Sequence, residues 1–311
     1  MAEQRNYDVV IIGGGPAGLT AGIYTARARL DTLLLEKEMI GGQIANVDQI
    51  ENYPGFPDGI GGFDLAQLMQ QQAEKFGLKI IMAEANGFEL KEGNRKVVKT
   101  SGGDFEARAV IFAGAARRRK LGVPGEDEFT GRGVSYCATC DAPFFKDRPI
   151  AVAGGGDTAI TEALHLAKFA SKVTVIHRRD QLRATAILKE RAIAEPKIEF
   201  LWNTTVDEIE GDVFVTGLKV NQVKTGEKSS LEVAGIFVTI GFEPDTGYLK
   251  DVLELNPAGH IITNNEMETK VPGVFAAGDI LAKFARQVVT ATGDGATAAI
   301  SAQRFLTEQQ A

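Results

Sequence analysis

A short apolar strand that runs into three glycines, then a helix-like stretch and a second strand, occurs twice in this chain. No other feature narrows its fold as much. In the first copy, residues 7–12 read as a buried strand, Gly13-Gly14-Gly15-Pro16-Ala17-Gly18 as the turn, residues 17–28 as a helix and residues 30–36 as the next strand. The second copy runs through residues 149–153, the turn Gly154-Gly155-Gly156-Asp157-Thr158-Ala159, a helix over 157–169 and a strand over 172–176. With 311 residues, 44% of them hydrophobic, the chain is long enough to give each copy its own core.

The expected fold class is therefore α/β, with two Rossmann-like nucleotide-binding domains built on parallel sheets. Alternating segments at 96–99 and 108–112, with similar ones between 198 and 240, predict small antiparallel β insertions. Residues 273–279 predict a strand closing on a turn, and residues 288–305 a helix of small residues.

The two glycine turns differ in the residues beyond them. Each lets backbone N–H groups and the positive end of a helix approach a pyrophosphate. After the first, Glu36 ends the second strand, where an acid hydrogen-bonds ribose hydroxyls. After the second, the same place holds His177-Arg178-Arg179-Asp180, with Arg183 close behind. Guanidinium groups bind a 2′-phosphate through charge-assisted bonds, whereas an acid repels it. The first unit is expected to hold a nucleotide with a free ribose and the second NADPH.

Only two cysteines occur, Cys137 and Cys140, in the run Cys137-Ala138-Thr139-Cys140. A bridge across so short a loop restrains little chain entropy, so a structural staple explains the pair poorly. Zinc would need two further ligands, and the three histidines, His165, His177 and His260, lack paired ligand spacing. A redox pair remains, and a flavin is the group that connects a hydride donor to a disulfide. Asp141, next to Cys140, is placed to protonate a leaving thiolate.

Composition excludes other classes. The net charge of −7 argues against nucleic acid as a partner. No stretch has the about 20 apolar residues that cross a bilayer, and the start lacks the pattern of a secretory leader, so no membrane association and a cytoplasmic location are expected.

Together these motifs resemble the bacterial-type, low-molecular-weight thioredoxin reductases, and the resemblance spans essentially the whole chain. It is carried by GGGPAGLTAGIYTARA at the start, GGQIANVDQIENYPGF from Gly41, RKLGVPGEDEFTGRGVSYCATCDAPFF, GGGDTA with HRRDQLRA, GVFAAGDI, and RQVVTATGDGATAA. The resemblance implies an FAD domain over residues 1–116 and 246–311, with an NADPH domain, residues 117–245, inserted between. It places Gly13, Gly15, Pro16, Ala17 and Gly18 on the FAD pyrophosphate, Glu36 on its ribose, and Gly42, Gln43 and Asn52 near the isoalloxazine. Gly278, Asp279 and Arg286 join the same site, Asp279 on the ribitol chain, while Gln287 and Val288 present the last helix to the ring.

For NADPH it implies Gly154, Gly156, Asp157, Thr158 and Ala159 at the turn and His177, Arg178, Arg179 and Arg183 at the phosphate. In this family the second cysteine, here Cys140, faces the flavin, and the first, Cys137, attacks the disulfide of thioredoxin with Asp141 as the acid. A homodimer is implied too, as is a rotation between domains about hinges near Gly114 to Arg117 and Glu243 to Gly247. Ala142-Pro143, in place of a glycine after Asp141, and the basic run Arg117-Arg118-Arg119 depart from the family pattern; the run is expected to tune the partner surface. Competing readings keep the fold but change the donor to ferredoxin, make the chain a dithiol oxidase or a non-catalytic redox sensor, or change the acceptor to a glutaredoxin-like or peroxiredoxin-linked protein.

Overall fold

A computed structural model describes residues 5–114 and 116–309. The chain divides into two compact units, Met1–Arg117 with Glu243–Ala311, and Arg118–Phe242. The first stretch runs β1 (Asn6–Ile12), α1 (Pro16–Arg27), β2 (Thr32–Glu36), α2 (Gly62–Lys75), β3 (Lys79–Met82), β4 (Ala85–Lys91), β5 (Arg95–Thr100), β6 (Phe105–Phe112) and β7 (Ala116–Arg118). Next come β8 (Val134–Ser135), α3 (Ala138–Asp141), β9 (Pro149–Ala153), α4 (Asp157–Ala167), β10 (Lys172–His177), α5 (Ala186–Ala194) and β11 (Ile198–Trp202). The chain closes with β12 (Thr204–Gly211), β13 (Val215–Gln222), β14 (Lys228–Glu232), β15 (Ile236–Val238), β16 (Phe242–Pro244), β17 (Val274–Ala276) and α6 (Val288–Glu308).

In the first unit the sheet is ordered β3-β2-β1-β6-β5-β4, with β17 also paired to β6. Successive residues of β1 alternate between its two faces. Val9 and Ile11 pack with α1, α2 and α6, while Val10 and Ile12 face a second core with Phe88 and Phe112. The pairing of β6 follows its sequence. Its first residues, Phe105 to Ala107, alternate in burial and pair antiparallel with β5, while the apolar run from Ala109 to Phe112 is buried on both faces and lies parallel to β1 and β17. The expectation that 108–112 is antiparallel is thus corrected: a strand covered on both faces reads as a continuous apolar run. Helix α6 lies close on α1 because Gly295 has no side chain; a Cβ there would stand 2.1 Å from the Ala17 carbonyl oxygen.

Beneath β6 sits Lys96, fully buried at 0% exposure. Its Nζ donates to the Asn94 and Arg108 carbonyls at 3.0 and 2.8 Å and lies over the Phe305 ring. Desolvation outweighs those acceptors and pushes the ammonium down to about 8. Because the unfolded lysine keeps its proton up to about pH 10.4, the unfolded state binds more protons than the folded one between about pH 8 and 10, and stability rises with pH there. From pH 8 to 9.5 the wild type is expected to gain about 1.5 kcal/mol over Lys96→Met in equilibrium unfolding. Parallel pH dependences would contradict this. Lys79, Lys99 and Lys120, held upward by carboxylate partners, contribute constantly in that window, and the half-buried phenols of Tyr136 and Tyr248 destabilise only above about pH 10.

The second unit carries a parallel sheet ordered β11-β10-β9-β15-β8 and a separate antiparallel sheet, β12-β13-β14. Antiparallel pairing is the sequence expectation throughout 198–240. Instead β11 and β15, at the two ends of that stretch, join the parallel sheet. Helices α3, α4 and α5 cover one face of the parallel sheet through Ile160, Ala163, Leu166 and Ala192, and β12 and β13 cover the other through Val206, Ile209 and Leu218.

The chain crosses between units twice, and the crossing strands β7 and β16 pair with each other. Of the hinge expected at Gly114 to Arg117, Ala115 lies outside the described residues, as do residues 1–4 of the start. The basic run makes ion pairs within the chain. Arg117 pairs with Asp245 at 2.6 Å, and Arg118 pairs with Glu162 at 3.1 Å while covering the Phe242 ring. Two of its three guanidinium groups thus have ion-pair partners, while Arg117 and Arg119 remain exposed. Among the described residues, no helix is long and apolar enough to cross a membrane.

Candidate functional site

At the first glycine turn, α1 begins at Pro16, whose missing N–H falls where a helix leaves its donors unpaired. The turn is tight: a Cβ on Gly18 would stand 1.8 Å from the Gly13 carbonyl oxygen, and Gly13 itself has φ +109°. Its outer side is open, since a Cβ on Gly15 would meet only the Gly41 carbonyl oxygen, 3.8 Å away. That opening leaves room for an anionic group to approach the backbone N–H groups at the start of α1. Glu36, at the end of β2, is buried and fixed by the N–H groups of Gly14 at 2.6 Å and Glu38 at 2.9 Å. Its remaining lone pairs can accept ribose hydroxyls.

The loop of Gly42 and Gln43 is drawn onto this turn, with Gly41 N–H donating to the Gly14 carbonyl at 2.8 Å. Asn52 and Gln287, 235 residues apart, meet through a side-chain bond of 3.0 Å, and Gln287 caps α6 just before Val288 in a reciprocal pairing with Thr290. After β17, Gly278 donates its N–H to Asp294 at 3.1 Å, and Asp294 in turn binds Lys283. Asp279 Oδ1 is buried with no hydrogen-bond partner, and burial pushes this carboxyl upward against the pull of Lys283 and Arg286. A buried acceptor left open is one that a ligand hydroxyl can complete. Arg286 reaches the Asp279 carbonyl at 3.4 Å and His260 at 2.9 Å.

At the second turn α4 starts at Asp157, whose carboxylate accepts the Thr185 N–H at 2.7 Å. Gly156 is open, with nothing within 4 Å of a Cβ placed there, and Thr158 is exposed beside it, while Ala159 is buried. The His177 ring is buried beneath Gly155 and faces the Gln181 carbonyl at 3.1 Å; desolvation pushes its pKa down, and the neighbouring arginines add to that. Arg183 N–H donates to the Gly155 carbonyl at 2.7 Å, which folds the arginine loop against the glycine turn. Arg178, Arg179 and Arg183 are exposed, and their guanidinium groups have no partner among the described residues. The nearest acid in sequence, Asp180, is occupied by Lys224 at 3.1 Å.

Cys137 and Cys140 are bridged, with their Cα atoms 5.4 Å apart. Cys137 is half-buried and caps the single-turn α3, its Sγ accepting the Cys140 N–H at 3.3 Å; Cys140 is exposed. Thr139 Oγ1 lies 3.4 Å from the same Sγ. Both contacts fall on the Cys137 sulfur. Asp141 is half-buried, with its Oδ2 bonded by Ser135 Oγ at 2.6 Å. Neither Ser135 nor Asp294 is singled out by the sequence motifs. A hydroxyl two residues before the first cysteine is the available signal for Ser135; Asp294 lies inside the small-residue helix and has none.

The model of the family described as pyridine nucleotide-disulphide oxidoreductase matches residues 7–295. A thioredoxin reductase of Bacillus subtilis (strain 168) is 49% identical over 312 residues, covering 100% of this chain and 98% of that one. Among solved structures, the thioredoxin reductase of Lactococcus lactis, in its FR conformation, superposes with a TM-score of 0.95 at 44% identity, covering 97% of this chain and 99% of that one. The T. acidophilum thioredoxin reductase gives a TM-score of 0.93 at 33% identity, covering 99% of this chain and 100% of that one. With a matched span that takes in both glycine turns and the bridged cysteines, this chain belongs to the pyridine nucleotide-disulphide oxidoreductases.

Proposed function

We propose that the chain is an NADPH-dependent thioredoxin reductase, in which electrons pass by way of FAD to the Cys137–Cys140 disulfide and on to the disulfide of thioredoxin. The observation that carries the reading is the bridged pair itself: an exposed Cys140, a Cys137 sulfur with donors in place, and an adjacent carboxylate, in a chain with two nucleotide turns of different character. The thioredoxin reductases to which the chain is similar support thioredoxin as the acceptor. Members of this family work with a flavin and a pyridine nucleotide; a bound flavin supplies the two-electron relay between a hydride donor and a disulfide.

In this reading FAD belongs to residues 1–116 and 246–311. Gly13, Gly15, Pro16, Ala17 and Gly18 approach its pyrophosphate, Glu36 accepts its ribose hydroxyls, and Asp279 takes a ribitol hydroxyl beside Gly278. Gly42, Gln43, Asn52, Arg286, Gln287 and Val288 line the ring end. Residues 117–245 bind NADPH. There Gly154, Gly156, Asp157, Thr158 and Ala159 form the pyrophosphate turn, His177 supports it from beneath, and Arg178, Arg179 and Arg183 clamp the 2′-phosphate. Cys137 attacks the thioredoxin disulfide and Asp141 exchanges the protons. The reading carries with it a cytoplasmic homodimer.

The test is turnover. Purified enzyme with NADPH, a bacterial thioredoxin and insulin as final disulfide is expected to consume NADPH only when thioredoxin is present. Consumption with a glutaredoxin-like protein in place of thioredoxin, or reduction only by ferredoxin, would overturn the assigned acceptor or donor respectively.

A further inference from the structure

We infer that Ser135 is a positioning residue for disulfide exchange: its buried hydroxyl holds one oxygen of Asp141, leaving the other to exchange protons with the Cys137–Cys140 pair. The inference rests on Asp141 being the acid of the proposed function. Ser135 ends β8 and is 4% exposed. Its Oγ accepts the Cys137 backbone N–H at 3.1 Å and donates to Asp141 Oδ2 at 2.6 Å. The Cys137 carbonyl, at 3.3 Å, competes for the single hydroxyl proton, but the shorter bond to a charged acceptor is the stronger. Asp141 N–H donates back to the Cys137 carbonyl at 3.2 Å. Serine, first cysteine and acid are thereby closed into one hydrogen-bonded ring, so the carboxylate keeps a fixed place relative to the sulfur pair. Oδ1 has no partner among the described residues.

Protons and electrons balance across the exchange. Cys137 gives its thiol proton to Asp141, and the resulting thiolate attacks one sulfur of a substrate disulfide; a bond forms between them, the substrate S–S bond breaks, and the departing thiolate takes that proton from Asp141. Cys140 then gives its thiol proton to Asp141 and attacks Cys137 Sγ. The Cys137–Cys140 bond forms, and the second substrate sulfur leaves and takes that proton. Two electrons move from the pair to the substrate. Once each leaving sulfur has taken its proton, Asp141 is again the carboxylate that accepts the Ser135 hydroxyl.

A leaving group that needs no proton provides the control. The enzyme as purified is reduced with dithiothreitol, desalted without oxygen and mixed with hydroxyethyl disulfide, whose leaving thiolate is strongly basic, or with an aromatic disulfide, whose leaving thiolate is weakly basic. Ser135→Ala is expected to slow the alkyl reaction about tenfold and the aromatic one less than about twofold, with Ser135→Thr restoring the alkyl rate. Equal slowing of both reactions, or no slowing of the alkyl one, would overturn the inference. Circular dichroism and Ser135→Gly guard against a folding defect in a single variant. Asp141→Asn separates the two levels. If it slows the alkyl reaction selectively and Ser135→Ala does not, only the role of Ser135 falls; if it shows no leaving-group dependence, the acid itself has been misassigned.

Discussion

Replacing Arg178, Arg179 and Arg183 together with glutamine is expected to lower kcat/KM for NADPH by about a hundredfold or more, while that for NADH changes less than about threefold. All three guanidinium groups are exposed and unpaired among the described residues, and Asp180, the acid within reach in sequence, is held by Lys224. Little must be broken before they bind a phosphate. Each charge-assisted bond to a 2′-phosphate contributes about 1.5–3 kcal/mol, so two or three of them account for that factor. The phosphate is remote from the reacting carbon, so the loss is expected in KM rather than kcat. Equal losses for both nucleotides, measured by initial rates, would mean that the arginines support the fold of the turn and do not read the phosphate.

Cys137→Ser and Cys140→Ser are each expected to lower disulfide turnover by more than about a thousandfold. Serine nearly matches cysteine in volume, and the bridge closes a loop of only a few residues, so the unfolding temperature should move by no more than a few degrees. The two variants should then part company. With Cys140 replaced, the Cys137 thiol still has the Cys140-position N–H and Thr139 beside it and is expected to form a stable mixed disulfide with thioredoxin, because the resolving sulfur is gone. With Cys137 replaced, that adduct should be scarce. Gel electrophoresis without reductant distinguishes them; the reverse pattern would exchange the roles assigned to the two sulfurs.

Much of this architecture is legible in the sequence because it is local. A strand, three glycines and a helix are contiguous, and β1, α1, β9 and α4 lie within two residues of their expected bounds. The arginine cluster and the cysteine pair are likewise visible as adjacent residues of one chemistry. Long-range partnership is not legible. β6 gains a further parallel partner in β17, more than a hundred residues later, and the Lys96 ammonium lies over Phe305 in the last helix. Asn52 meets Gln287, and Gly278 meets Asp294, only once the chain has folded back. Arg118 reads as surface charge because Glu162 and Phe242, which hold it, are far away in sequence.

The most direct test of the electron path is an anaerobic titration of the yellow holoenzyme with NADPH, monitored by flavin absorbance and free-thiol count. The account predicts that the wild type takes up about two equivalents per chain, one held by the flavin and one appearing as the Cys137 and Cys140 thiols, whereas Cys140→Ser takes up about one. Uptake of one equivalent by both proteins, with no thiols released in the wild type, would show that the disulfide does not lie on the path and would contradict the proposed function at its centre.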